Sequence, residues 1–220
     1  MRDPVVHRRV VVGHSVNGRP LLAYEVGDAD SARRILIVGC IHGDERAGIA
    51  IADGLIASTP SQDLDLWVVP VLNPDGAAAG TRVNGRGVDL NRNFPYRWRR
   101  LGPLGTPHYS GPAPLSEPET RAALALLKRI GPSIGVWYHQ ALAVVDDSQG
   151  PLAFERRYAT LVGLPLRKLA DYPGSAVGEE DHLLGPTAFV VELPAGALSA
   201  TQVRQHERAV LDLAALLPPG

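Results

Sequence analysis

Four short β-branched apolar runs, Ile35–Cys40, Leu66–Leu72, Ile134–Tyr138 and Ala188–Leu193, recur along the chain with helix-length segments between them. A run that is apolar on successive residues has no polar face to offer water, so each reads as a strand covered on both sides. The intervening segments Asp44–Ser58, Glu117–Ile130, Leu152–Val162 and Ala200–Leu217 have helical character. The second of them starts at Ser116-Glu-Pro-Glu, with Ser116 as the expected cap and proline in the first turn. Strands interleaved with helices predict an α/β fold in three layers, α/β/α. Ahead of them, Val5–Val12 and Leu21–Val26 flank an Asn17-Gly18 turn signal and predict an opening hairpin. Two stretches, 73–115 and 170–186, read as long loops of the kind that carry function. With no internal repeat and no linker, the 220 residues are expected to form one domain, 1–220.

Several classes fall away on composition. The 22 Lys+Arg against 23 Asp+Glu leave a net charge of -1, which gives no electrostatic footing for nucleic acid or an anionic membrane. One cysteine, Cys40, forms no intramolecular disulfide, so the chain needs no oxidising compartment. The N-terminal MRDPVVHRRVVVGHS lacks the apolar core and cleavage site of a secretory leader, and no apolar run approaches the roughly 20 residues of a spanning helix. The expected compartment is the cytoplasm. The 23 Gly and 19 Pro exceed the usual share without becoming low-complexity, which predicts many ordered turns.

Candidate chemistry gathers where strands end. His42 and Glu45, three residues apart in Gly39-Cys-Ile-His-Gly-Asp-Glu45, follow directly on the first predicted strand and can converge on one point. Imidazole nitrogen and carboxylate oxygen suit a first-row metal, and two His with one Glu is a known catalytic zinc set. His139 closes the strand IGVWY at an equivalent position and supplies a third donor. Glu192 is a carboxylate inside AFVVELPAG, where burial without a partner is costly, so it must pair, bind metal or face a polar cleft. The loop from Asn73 to Pro95 brings Arg82, Arg86 and Arg92 toward the next strand end, and arginine suits either a substrate carboxylate or a developing oxyanion.

Taken together, the GHSVNGRPL opening, HGDE, NPDG, GVDLNRNFP, YSGPAPLSEPETRA, WYHQ and VVELPAG resemble the zinc carboxypeptidase family of the carboxypeptidase A/B type, and within it the short bacterial murein peptide amidases. The resemblance covers most of the chain. It implies a mixed, mostly parallel central sheet, one Zn2+ held by His42, Glu45 and His139, and Glu192 as the general base that takes a proton from the attacking water. It also implies Arg82 as the oxyanion-stabilising arginine, Asn91 and Arg92 as the grip on a substrate's free carboxylate, and Tyr172 as a tyrosine that closes over the substrate. The implied partner is a short peptide, including one derived from the cell wall, cut at an amide next to a free carboxylate. Residues Ala176–His182 depart from the family pattern, and an acidic loop of Glu179, Glu180 and Asp181 stands where the specificity pocket is shaped. An amine-bearing substrate side chain would suit it; a solvated acidic loop is the plainer alternative.

Other readings fit less well. Cys40 beside His42 suggests a cysteine nucleophile, but that leaves the His42–Glu45 spacing unexplained, and a small buried thiol is expected instead. Gly13-His-Ser15-Val-Asn17 lacks the closing glycine of a nucleophile elbow, and Gly43 with Gly48 lacks the Lys-Ser/Thr of a phosphate loop. His7, His14, His108, His182 and His206 have no partnered spacing. Two functional alternatives remain: a deacylase of N-acyl amino acids, of the aspartoacylase and succinylglutamate desuccinylase type, and a non-catalytic peptide-binding module. NPDG with VDLNRNFP argues against the first, and a module that only binds has no use for Glu192.

Overall fold

In the computed structural model, residues 6–60, 63–148 and 152–218 are described, and Val5, the expected first residue of the hairpin, lies outside them. The strands β1 (Val6–His14), β2 (Pro20–Gly27), β3 (Arg34–Val38), β4 (Asp65–Val69), β5 (Ile134–Gln140), β6 (Val144–Asp146), β7 (Leu166–Arg167) and β8 (Ala188–Leu193) form one sheet in the order β1-β2-β4-β3-β5-β8-β6-β7. The four apolar runs become the central quartet β4-β3-β5-β8, and every pairing within it is parallel. The antiparallel pairs lie outside it, in the β1–β2 hairpin, its junction with β4, and β6 on β8.

Alternation along these strands separates two cores. Ile35, Ile37, Val68, Val136 and Tyr138 face helices α1 (Ala47–Ile56), α4 (Ala153–Val162) and α6 (Ala200–Leu213). Leu36, Val38, Val69 and Trp137 face α3 (Pro118–Ile130) together with Leu90 and Phe94 from the long loop. Both faces being covered is the reason these strands read as continuous apolar runs rather than alternating ones. The arrangement is the three-layer α/β fold with a mixed sheet that the sequence predicts.

Several local expectations change. The first helix starts at Ala47 rather than Asp44, because residues 42–45 form a turn and Gln140 Oε1 accepts the Ala47 N–H at 2.8 Å, which fixes where the helix begins. Helix α3 is capped at Glu117, not by Ser116: the Ser116 hydroxyl bonds the Glu117 carboxylate, while Asn93 Oδ1 accepts the Glu117 N–H. The stretch 73–115 contains a short helix, α2 (Pro74–Ala79), which Asn73 caps by accepting from Gly76 N, and a 3-10 turn at Leu90–Arg92 capped by Asp89. The stretch 170–186 is no loop throughout, since Ser175 caps a nine-residue helix, α5 (Ala176–Leu184). Glu179 and Glu180 are buried on that helix, so the acidic loop does not exist as a solvated one. No helix among the described residues is long and apolar enough to cross a membrane.

Candidate active site

The C-terminal ends of the parallel strands converge on one edge of the sheet, the usual ligand position in an open α/β fold. Leaving β3, the chain turns so that the Glu45 N–H bonds the His42 carbonyl at 3.0 Å, which folds Glu45 back toward His42. Gly43 lets this turn lie against α2: a Cβ there would stand 2.0 Å from the Gly76 carbonyl carbon. His139 projects from the end of β5, two residues beyond Trp137 and on the same side of the strand.

These three residues offer donor atoms that all lie within 4.8 Å of one another. Glu45 Oε2 is 2.9 Å from His42 Nδ1 and 2.8 Å from His139 Nδ1, and the two ring nitrogens are 3.0 Å apart. His42 Nε2 faces Asp89 Oδ1 at 3.0 Å. A ring N–H given to that carboxylate leaves Nδ1 with its lone pair toward the cluster, the arrangement that orients a metal-ligating histidine. Two imidazoles and a carboxylate, one of them already fixed in tautomer, fit a zinc ion with a further position open.

Charge is organised around the cluster. Burial works against a charged His42, but Asp89 and Glu45 outweigh it and hold the ring's pKa above the ordinary value. Burial also pushes Glu45 upward, and the bonds from His139 and His42 overcome it, leaving the carboxyl well below the usual range. For His139 burial wins and the pKa falls. Arg82 bridges the cluster's acids, donating Nη1 to Glu45 Oε1 at 2.9 Å and Nε to Asp89 Oδ2 at 3.1 Å. Five N–H donors on one guanidinium leave others for the cleft.

Glu192 stands directly beside His139 in the β5–β8 register. Its Oε2 is buried with no hydrogen-bond partner. Burial first, then the charge of Glu45, raises its pKa, while the Leu142 N–H, His42 and Arg82 lower it. Glu192 is thus a half-buried carboxylate beside the cluster, held through the Leu142 N–H and with one oxygen left unpartnered.

The remaining expected residues lie along one wall. Asn91 Nδ2 is 3.3 Å from His139 Nε2, while Asn91 Oδ1 accepts the Ala176 N–H at the start of α5. Arg92 is buried, donates to the Asn91 carbonyl at 2.6 Å, and has the exposed Tyr172 ring 4.0 Å from its guanidinium carbon. Arg86 does not join them, since its guanidinium pairs with Glu117. Cys40 is the expected buried thiol, pushed up to about 12 by burial and then by Glu45. Beyond Asn91 opens a cavity of about 420 Å³ whose lining includes Tyr96, Arg97, Asp146, Tyr172, Asp181 and His182. Of the three acids in Glu179–Asp181, only Asp181 lines it. Glu179 accepts the Tyr96 N–H at 2.6 Å, and Glu180 points at the sheet, where it accepts from Trp137 Nε1 at 2.7 Å.

Two groups escaped the sequence reading. Asp89 sits inside the quoted GVDLNRNFP motif, yet its buried position behind His42 is a tertiary fact; an acid just ahead of an asparagine-arginine pair was the available signal. Asp146 lies on β6, too short to show a pattern. Of the histidines without partnered spacing, His182 stacks on Tyr96 with ring centroids 4.5 Å apart, and His206 bonds the buried Tyr158 hydroxyl.

This fold, with this donor cluster, defines the class: residues 1–145 match the family model for zinc carboxypeptidase, and the chain belongs to that family. Among curated proteins it is similar to murein peptide amidase A of Vibrio campbellii, 38% identical over 146 residues, and to that of Escherichia coli K12, 36% identical over 147. Each match covers 61% of this chain, and 58% and 60% of the relative, so the aligned part spans about three-fifths of the curated relatives it resembles. The crystal structure of murein-tripeptide amidase from Escherichia coli O157 superposes with a TM-score of 0.78 at 28% identity, covering 99% of this chain and 95% of that one. A carboxypeptidase A from Helicoverpa armigera shares the fold at a TM-score of 0.83 and 18% identity, covering 96% of this chain and 69% of that one.

Proposed function

We propose that the protein is a zinc-dependent hydrolase that cuts an amide bond next to a free carboxylate in a short peptide, one derived from the cell wall, as the names of its amidase relatives suggest. The observation that carries this reading is Glu192, a half-buried carboxylate whose Oε2 is buried and partnerless, in register with His139. Such a group is costly to keep and is what a general base requires. His42, Glu45 and His139 would hold one zinc ion. Bound there, zinc supplies Lewis-acid polarisation of a carbonyl and acidifies water.

The chain's own groups supply the rest. Glu192 Oε2 takes a proton from the attacking water and passes it to the leaving amine. Arg82 holds Glu45 in place and turns its remaining donors to the oxyanion. Asn91 and Arg92 receive the substrate's terminal carboxylate, and Tyr172, already over Arg92, covers it. The residue that bears this carboxylate points its side chain into the 420 Å³ cavity. There Asp181, raised to about 6 by burial, and Asp146, raised by burial and by Asp171 and Asp147, favour an amine-bearing side chain. The single buried thiol suits a reducing compartment, and a cytoplasmic place is part of this proposal.

The test is metal analysis combined with hydrolysis of a small peptide panel, with Glu192→Gln as the control. Near-stoichiometric zinc in both proteins, with turnover reduced at least ~100-fold in the variant, supports the reading. A wild type that is metal-free and inactive after preparation in zinc refutes it. The family match and the amidase relatives count against the N-acyl amino acid deacylase alternative.

A further inference from the structure

A second cleft, of about 510 Å³, adjoins the cluster through Glu45. It shares no lining residue with the cavity beyond Asn91. The two approach His139 from opposite edges of its ring, Glu45 at Nδ1 and Asn91 at Nε2. If the leaving residue occupies the Asn91 side, the part of the substrate that keeps the carbonyl extends into this second cleft.

Its walls are built and fixed. Three segments meet there, the start of α1, the end of β5 and the loop after β8, and one side chain joins them: Gln140 accepts from Ala47 N and donates Nε2 to the carbonyls of Pro194 and Gly196 at 2.8 and 2.9 Å. The lining is mostly small and apolar, with Ala47, Ala50, Ala141, Ala195 and Ala197 leaving room for backbone and a modest side chain. Arg46 is the cation of this lining and is exposed. No described residue accepts a hydrogen bond from its guanidinium. Asp44 is also exposed on the lining and repels an anion from its own end, so Arg46 becomes the landing point.

Resting on the hydrolase reading above, we propose that this cleft is the acyl-side subsite and that Arg46 is a specificity-determining residue, binding a carboxylate on the residue whose carbonyl is attacked. A planar guanidinium with free donors matches a carboxylate bidentately, and a neutral amide at the same place gains far less.

Two peptides that differ only in glutamate or glutamine at the acyl-side residue test it, with wild type, Arg46→Ala and Arg46→Lys. Wild type is expected to favour the glutamate peptide about two- to fivefold in kcat/KM, the size of an exposed charged contact. The ratio falls to about one in Arg46→Ala and is partly kept in Arg46→Lys. Calorimetric Kd values for the same peptides on the zinc-loaded Glu192→Gln protein give the same ratio without turnover. A ratio near one in wild type, or one unchanged in Arg46→Ala, overturns the proposal. A binding ratio that depends on Arg46, found together with no hydrolysis of either peptide, refutes the hydrolase reading and leaves the subsite standing.

Discussion

Asp89 Oδ1 lies 3.0 Å from His42 Nε2, and that contact turns the ring's other nitrogen toward Glu45 and His139. Asp89 is fully buried, and its second oxygen accepts from Arg82, so one carboxylate sets both the His42 tautomer and the position of Arg82. Asp89→Asn keeps the shape and loses the charge. Zinc affinity is expected to fall about 10–100-fold, measured by competition with a chelator. An unchanged affinity would show that the ring is oriented by other contacts.

The amine preference assigned to the Asn91-side cavity rests on Asp181 and Asp146. Each spends Oδ1 on backbone N–H groups, Asp181 on Thr187 and Ala188, and Asp146 on Leu169. The double variant Asp146→Asn/Asp181→Asn preserves those acceptors. It should lower kcat/KM for peptides ending in an amine-bearing residue about tenfold relative to neutral ones. Equal losses on both peptide classes would remove the cavity from specificity.

Glu180 makes stability depend on pH in a defined window. It is fully buried, and burial, aided by the charge of Asp181 and opposed by the Trp137 bond, raises its pKa to about 8. The folded state therefore keeps a proton that the unfolded state releases near its ordinary value, about 4.5. Stability falls as pH rises through this window and levels off above about 8. Asp181 and Asp65 shift in the same direction but only to about 6, so above pH 6 the decline comes from Glu180 together with His42, whose raised pKa also costs stability as its proton is lost. Glu180→Gln should flatten the decline in Tm between pH 6 and 8, followed by thermal unfolding; a slope equal to wild type contradicts the assignment.

Gly43→Ala tests the join between the His42–Glu45 turn and α2. The new methyl meets backbone, at 2.0 Å from Gly76 C and 2.2 Å from Ala77 N, so no side chain can yield to it. A destabilisation of about 1–3 kcal/mol is expected, with weaker zinc binding because the turn that aims Glu45 must shift. Thermal unfolding with and without added zinc separates the two effects.

The layered sheet was legible because it rests on short-range pattern, whereas the set His42, Glu45 and His139 was legible through strand-end positions joined by the motif resemblance. Uninterrupted apolar runs declare strands covered on both faces, and His42, Glu45, His139 and Glu192 stand at the ends of those runs. Helix α5 was not legible. Its sequence AVGEEDHLL places three acids and a glycine together, which reads as loop, and Glu180 becomes tolerable only because Trp137 donates to it and Gly135 opposite has no side chain. Residues Asn73–Leu115 likewise have the pattern of a loop, because their order comes from buried side chains bonding to distant backbone. The caps that start α2 and the 3-10 turn did carry local signals, in Asn73-Pro74 and in Asp89 two residues before Asn91.

Asn93 shows what that order implies. Its fully buried amide donates to the carbonyls of Ser110 and Ala113 and to Ser116 Oγ, and it accepts from Glu117 N and Thr120 Oγ1. Asn91 and Arg92, the residues just before it, are thus mounted on a rigid wall, while Tyr172 across from them is exposed and held through its ring contact with Arg92. The cleft then has one stiff jaw and one yielding jaw. On the proposed reading, ordering entropy on the stiff side is spent during folding, so a peptide's arrival would immobilise only the tyrosine side, and substitutions at Asn93 would be felt as slower, looser capture rather than as altered chemistry.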